Sequence, residues 1–175
     1  WSTWHRDPEK SGGCLYDMNV HDIDYLYSVF GMPKTIYATG WKSPTGCWNH
    51  VSANITWKDG TKAACETALE MKGAFPFSIE LRVAGDKGTI SYGMTAGHNI
   101  KDGDMGSDLM WYEEGKAEVP LKTDPLDMFG AEIAEFLSAI EENRPAEITP
   151  EQSRDVLKIV LGIKTSLEEN TIVIF

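Results

Sequence analysis

The chain has 175 residues, 42% of them hydrophobic and 25% charged, which suits one globular domain with its own apolar core. A formal net charge of −11 and a pI near 4.7 argue against a nucleic-acid or anionic-membrane surface, because such surfaces cluster Lys and Arg and the 16 basic residues here are scattered. No apolar run reaches the roughly 18 residues of a membrane span, and the three cysteines (Cys14, Cys47, Cys65) lack C-x-x-C spacing, so reduced thiols in a cytoplasmic protein are expected rather than a disulfide framework or structural zinc.

Trp1 to Lys10 mixes aromatics with His5 and Arg6 and is interrupted by Pro8, which predicts a loop. The start on Trp1, without a methionine or a recognisable signal peptide, is expected of an excised domain. Ser11 is a candidate cap, and Gly12 and Gly13 allow the backbone a close approach to something else. A helix is then predicted from about Cys14 to Phe30, ended by Gly31 and Pro33.

Strands follow. Thr35 to Lys42 is rich in β-branched and aromatic residues. Val51 to Lys58 alternates, with Val51, Ala53, Ile55 and Trp57 on one side and Ser52, Asn54, Thr56 and Lys58 on the other. Asp59-Gly60 is a hairpin signal, with Thr61 to Glu70 as the returning strand. Phe77 to Ala84 and Thr89 to Tyr92 flank the Gly85-Asp86-Lys87-Gly88 turn. Residues 93–106 read as a long excursion, and Leu109–Tyr112 and Ala117–Leu121 as shorter strands. Leu126 to Asn143 and Thr149 to about Asn170 carry helical spacing, the second with Thr149, Pro150 and Glu151 as cap, first-turn proline and early acid. Thr171 to Phe175 closes the chain as an apolar strand. The expected fold is α+β: an open, predominantly antiparallel sheet with helices packed on one face, in a single domain spanning 1–175.

The chemistry concentrates between Ser11 and Asp24. On one continuous helix Asp17, His21, Asp24 and Ser28 fall within an arc of about 60°, apart from Leu15, Met18, Leu26 and Val29. An acid four residues before a histidine can orient the imidazole, which then takes or gives a proton near neutral pH; a plain surface ion pair is the alternative. Asp17, His21 and Asp24 as a metal face is a third reading, weakened because two helical turns span about 10 Å, so the three would not easily reach one ion. His5, His50 or His98 would have to complete such a site. Asp22 falls among the apolar residues, and the sequence does not choose between a capping role and a non-ideal helix. His5 and Arg6, beside Trp1 and Trp4, suit a polyol or carboxylate substrate.

Ser11-Gly-Gly-Cys-Leu-Tyr-Asp17-Met-Asn-Val-His21-Asp-Ile-Asp24, followed by Phe30-Gly-Met-Pro33, resembles the start of the C-terminal domain of the Gfo/Idh/MocA oxidoreductases, the relatives of glucose–fructose oxidoreductase and inositol dehydrogenase. Gly85-Asp-Lys-Gly-Thr-Ile90, Phe136-Leu-x-Ala-Ile140, Asn143-Arg-Pro145, Ile148-Thr-Pro-Glu151 and Thr171–Phe175 are similar to later parts of that domain, so the resemblance runs through the chain in order. It implies a two-domain enzyme whose N-terminal Rossmann domain binds NAD or NADP and supplies a lysine from an E-K-P motif. This chain contains neither E-K-P nor G-x-G-x-x-G.

The resemblance carries the catalytic pair over to Asp17 and His21, with His21 exchanging the proton of a substrate hydroxyl during hydride transfer. His5, Arg6, Asn19 and Asp24 are the candidate contacts to a sugar or polyol. Asn19 stands where the family commonly has glycine, and Cys14 where a third glycine is common; both bear on substrate identity. A homodimer or homotetramer assembled through the sheet is expected. The contrasting expectation is a non-catalytic regulatory or scaffold protein of the same fold.

Overall fold

The computed structural model describes residues 4, 7–96, 100, 101, 104, 105, 108–122 and 128–175. In chain order the elements are α1 (Cys14–Asp17), α2 (Asn19–Phe30), β1 (Thr35–Lys42), β2 (Trp48–Thr56), β3 (Lys62–Ala68), β4 (Ser78–Gly85), β5 (Gly88–Thr95), β6 (Ile100–Lys101), β7 (Asp104–Met105), β8 (Met110–Tyr112), β9 (Val119–Pro120), α3 (Met128–Glu141), α4 (Pro150–Glu169) and β10 (Val173–Ile174). They divide between two compact units, residues 1–71 with 145–175, and residues 72–144. Every strand pairing among the described residues is antiparallel, so the α+β class with antiparallel strands is as expected. Among the described residues no helix is long and apolar enough to cross a membrane.

The first unit holds a four-stranded sheet in the order β10-β1-β2-β3. The alternation along β2 does what it predicts: Val51, Ala53 and Ile55 are buried while Ser52 and Asn54 turn to the other side. Ile36 and Ala38 of β1 and Cys65 of β3 join the buried face. There α2 and α4 pack, contributing Ile23, Val156, Ile159, Val160 and Ile163 to one core, each such side chain stabilising the fold by about 1.5–3 kcal/mol relative to exposure. Tyr37, Thr39, Trp41, Asn54, Ala64 and Glu66 line the opposite face and are exposed.

Local signals set the limits of these elements. Thr149 and Gln152 form a reciprocal capping box at the start of α4, with Pro150 in its first turn, and Asn170 ends it at φ 53°. Gly31, at φ 68°, ends α2, and the Trp57 indole N–H donates to the Gly31 carbonyl at 2.9 Å. The last strand is shorter than expected: β10 pairs with β1 only at Ile36↔Val173 and Thr35↔Ile174. Beyond it the Ser166 hydroxyl takes over, accepting from the Ala38 N–H at 2.8 Å and donating to the Thr171 carbonyl at 2.6 Å.

The second unit has its own four-stranded sheet, β4-β5-β8-β9, and a two-stranded β6-β7 pair. The β4–β5 hairpin closes through Asp86-Lys87 between the paired Gly85 and Gly88. A Cβ on Gly88 would lie 2.7 Å from the Trp111 ring, so that position demands glycine. After α3, Arg144 forks onto both Glu135 carboxylate oxygens at 2.8 and 2.7 Å and donates to Glu142 at 2.8 Å, fastening the Asn143-Arg144 turn to the helix. The predicted 93–106 excursion contains the end of β5 and the β6-β7 pair; residues 97–99, 102, 103 and 106 lie outside the described ones.

Candidate active site

The Ser11-Gly12-Gly13 turn is built by close contact with β2. Gly12 and Gly13 have φ of 72° and 81°, a region that costs a residue with a Cβ about 1–2 kcal/mol. A Cβ on Gly13 would also lie 2.6 Å from Cys47 Cβ and 2.8 Å from Asn49 Oδ1. That approach brings the Asn49 side-chain oxygen to 3.1 Å from the Cys14 N–H, which it accepts. Ser11, expected as the helix cap, instead accepts the Gly13 N–H at 3.0 Å within the turn. The start of α1 is served by Asn49 from the sheet because Gly13, not Ser11, occupies the cap position.

The helix predicted from Cys14 to Phe30 is two segments. At Met18 the backbone (φ −118°, ψ −53°) separates α1 from α2, and the His21 N–H bonds back to the Met18 carbonyl at 3.1 Å, a three-residue step. Asp17 ends α1 and His21 sits in the first turn of α2, so they do not share one continuous helix and the arc calculated for one does not apply across them. Asp17 is half-buried and His21 exposed. His21 and Asp24, three apart within α2, are neighbours on its surface, and Asp24 is half-buried. His5 and Arg6 lie outside the described residues.

Asn19 is not placed for the substrate contact expected of it. Its side chain is fully buried and turned to β3, where Nδ2 donates to Thr67 Oγ1 at 2.9 Å and to Cys65 Sγ at 3.3 Å. Asp22 joins the same cluster: Thr67 Oγ1 donates to its Oδ2 at 2.8 Å, with the Cys65 thiol at 3.9 Å. This accounts for the position of Asp22 among apolar residues, since the sheet-facing side of α2 carries a polar anchor at its first turn. Burial raises the Asp22 carboxyl above the usual carboxylate range, against the opposing pull of the Thr67 hydroxyl, His21 and the Cys65 thiol. Burial and the nearby Asp22 carboxylate push the thiols of Cys14 and Cys65 up to about 12, which keeps both neutral and unfit as nucleophiles.

Thr67, Cys65 and Asn49 were not legible as site supports, for nothing local in an alternating strand marks a side chain that will meet a helix start. The one available signal was Asp22 itself, an acid on an apolar arc. Among the described residues no group of three or more His, Cys, Asp or Glu side chains is placed to hold a metal ion. A concavity of about 800 Å³ belongs to the second unit and is lined by residues such as Asp86, Lys87, Trp111 and Glu114, without Asp17, His21 or Asp24.

Residues 1–91 match the model of the GFO/IDH/MocA C-terminal domain, and the chain belongs to that family. It is 23% identical over 163 residues to D-xylose 1-dehydrogenase (NADP(+)) 2 of Haloferax volcanii, a match covering 93% of this chain and 48% of the relative. The chain therefore spans about half the length of the curated relative it matches. Among solved structures, the aldose-aldose oxidoreductase of Caulobacter crescentus, complexed with glycerol, superposes with a TM-score of 0.79 at 16% identity, covering 98% of this chain and 50% of that one. The WlbA dehydrogenase of Bordetella pertussis, in complex with NADH and UDP-GlcNAcA, gives 0.70 at 17% identity, covering 99% and 49%. These two likenesses establish a shared fold.

Proposed function

We propose that these 175 residues act as one substrate-binding and oligomerisation domain of a cytoplasmic NAD(P)-dependent oxidoreductase whose substrate is a sugar, polyol or related hydroxyl compound. The observation that carries this is the Asp17-x-x-x-His21 element: it sits just after a glycine turn locked onto β2, with His21 exposed on the side of α2 away from the core. Membership of the family and the sugar-acting names of the relatives support the substrate class.

The described residues do not fit a nicotinamide dinucleotide on their own, since every strand pairing is antiparallel and no glycine-rich strand-to-helix phosphate turn is present among them. In this reading the cofactor is held elsewhere in the whole protein, where it supplies the hydride acceptor or donor. His21 takes the proton of the substrate hydroxyl, or returns it. Asp17 orients or contacts substrate and supports the charge that the transfer creates, and Asp24, neighbouring His21 on α2, binds a further hydroxyl. His5 and Arg6 are assigned to the same substrate. The open face of the first sheet is the proposed contact between copies in a dimer or tetramer. Its support is the 60% exposed Trp41, whose ring lies 3.7 Å from that of His50 between centroids, tilted by 55°.

The test introduces His21→Ala and Asp17→Asn into the whole protein and follows nicotinamide reduction with a panel of aldoses and polyols. A fall in kcat of about 10²–10⁴ for His21→Ala is expected of a lost general acid–base group. Full activity in both variants would remove Asp17 and His21 from the catalytic set, whereas no nicotinamide reduction by the unaltered protein would leave a regulatory or scaffold role as the better account.

A further inference from the structure

Asn19, Asp22, Cys65 and Thr67 close a polar loop between the first turn of α2 and β3. Asn19 donates to Thr67 and Cys65, and both of these donate to Asp22 Oδ2. The loop contains a carboxylate partly withdrawn from water, yet no lysine or arginine. A neutral side chain of similar shape would hold the turn with less desolvation cost. What Asp22 adds beyond shape is charge, and the imidazole it acts on electrostatically belongs to the preceding residue, His21.

The two residues point to different sides of α2. Asn19, Asp22, Ile23 and Leu26 fall within an arc of about 100°, and His21 lies about 150° from its middle. Pinning one side to β3 therefore sets the angle at which the imidazole leaves the other.

We propose that Asp22 is a positioning residue for His21: hydrogen-bonded to Thr67 and Cys65, it fixes the rotation of the first turn of α2 and places a negative charge at the base of the imidazole-bearing segment. The proposal rests on the reading of His21 as the proton-exchanging group. The groups that titrate or carry charge around Asp22 are His21 on its own helix, Cys65 on β3, and Cys14 on α1, on which Asp17 also acts. On α4, which packs against α2, Asp155 accepts from Tyr27 and is paired with Arg154 and Lys158.

The test compares Asp22→Asn, Thr67→Val and Thr67→Ser in the whole protein, using the best aldose or polyol of the panel and the NMR resonances of the imidazole that disappear in His21→Ala. In Asp22→Asn the ring-proton resonances of the His21 imidazole are expected to move, and kcat to fall by about tenfold with KM within about twofold. The unfolding midpoint should not fall, which separates this role from a merely structural one. Thr67→Val should lower kcat in the same direction and Thr67→Ser restore it. An unchanged kcat or unchanged imidazole resonances in Asp22→Asn, with His21→Ala inactive, overturn the positioning role and leave the catalytic reading intact. Full activity of His21→Ala overturns the catalytic reading, and this proposal with it. If Asp22→Asn does not fold, wild-type activity in Thr67→Val overturns the proposal by itself.

Discussion

The side-chain oxygen of Asn49, near the start of β2, accepts the Cys14 N–H at 3.1 Å, so a residue 35 positions away caps the segment that ends in Asp17. Both residues are almost wholly buried, Cys14 at 0% and Asn49 at 2% exposure, which leaves no water to replace the bond.

Asn49→Ala should therefore cost about 1–3 kcal/mol, the loss expected when a buried donor is left unsatisfied. Ser11→Ala should cost less, because Ser11 is only half-buried. Urea denaturation of the two variants orders them, and a larger loss at Ser11 would mean that the turn, not the strand, holds the helix start.

Gly13 and Gly46 both have positive φ, at 81° and 91°, but a Cβ on Gly46 would meet nothing within 4 Å. Gly46→Ala should carry only the conformational cost of about 1–2 kcal/mol. Gly13→Ala adds a collision with Cys47 and Asn49, for a further loss of about 1–3 kcal/mol. Equal unfolding free energies for the two variants would show that the Ser11–Gly13 turn can shift away from β2.

Stability should respond to pH through the buried acid and thiols. Folded Asp22 holds its proton more tightly than the unfolded chain does. Its contribution is complete below the ordinary carboxylate value near 4 and is lost as pH rises through the higher folded value. Asp22→Asn removes that loss, so the variant should gain on wild type as pH rises above about 4 in paired urea titrations. A gain by wild type over that interval contradicts the direction. Cys14 and Cys65, at about 12 in the folded state, likewise favour folding fully below about 9 and progressively less above it. Iodoacetamide should modify them in native protein only as fast as the fold opens.

Much of the fold was written in short-range pattern. The Val51–Ile55 alternation, the Asp59-Gly60 turn, the Thr149–Gln152 box and Gly31 each act within a few residues, and each appears where its local chemistry directs. The break at Met18 has no such mark: neither glycine nor proline is present between Asp17 and His21. The two flanking segments are fixed by tertiary bonds, one to Asn49 on β2 and the other to Thr67 and Cys65 on β3. Periodicity read along one axis could not anticipate two anchors. The same limit explains Asn19, which the resemblance placed at the substrate and the contact with β3 buries.

Those separate moorings have an evolutionary meaning. A change near Asn49 displaces the acid while the histidine keeps its seat, and a change near Thr67 does the reverse. The distance between the two groups can drift in small steps without rebuilding either segment. A domain made this way can change the spacing of Asp17 and His21 while its core residues stay the same.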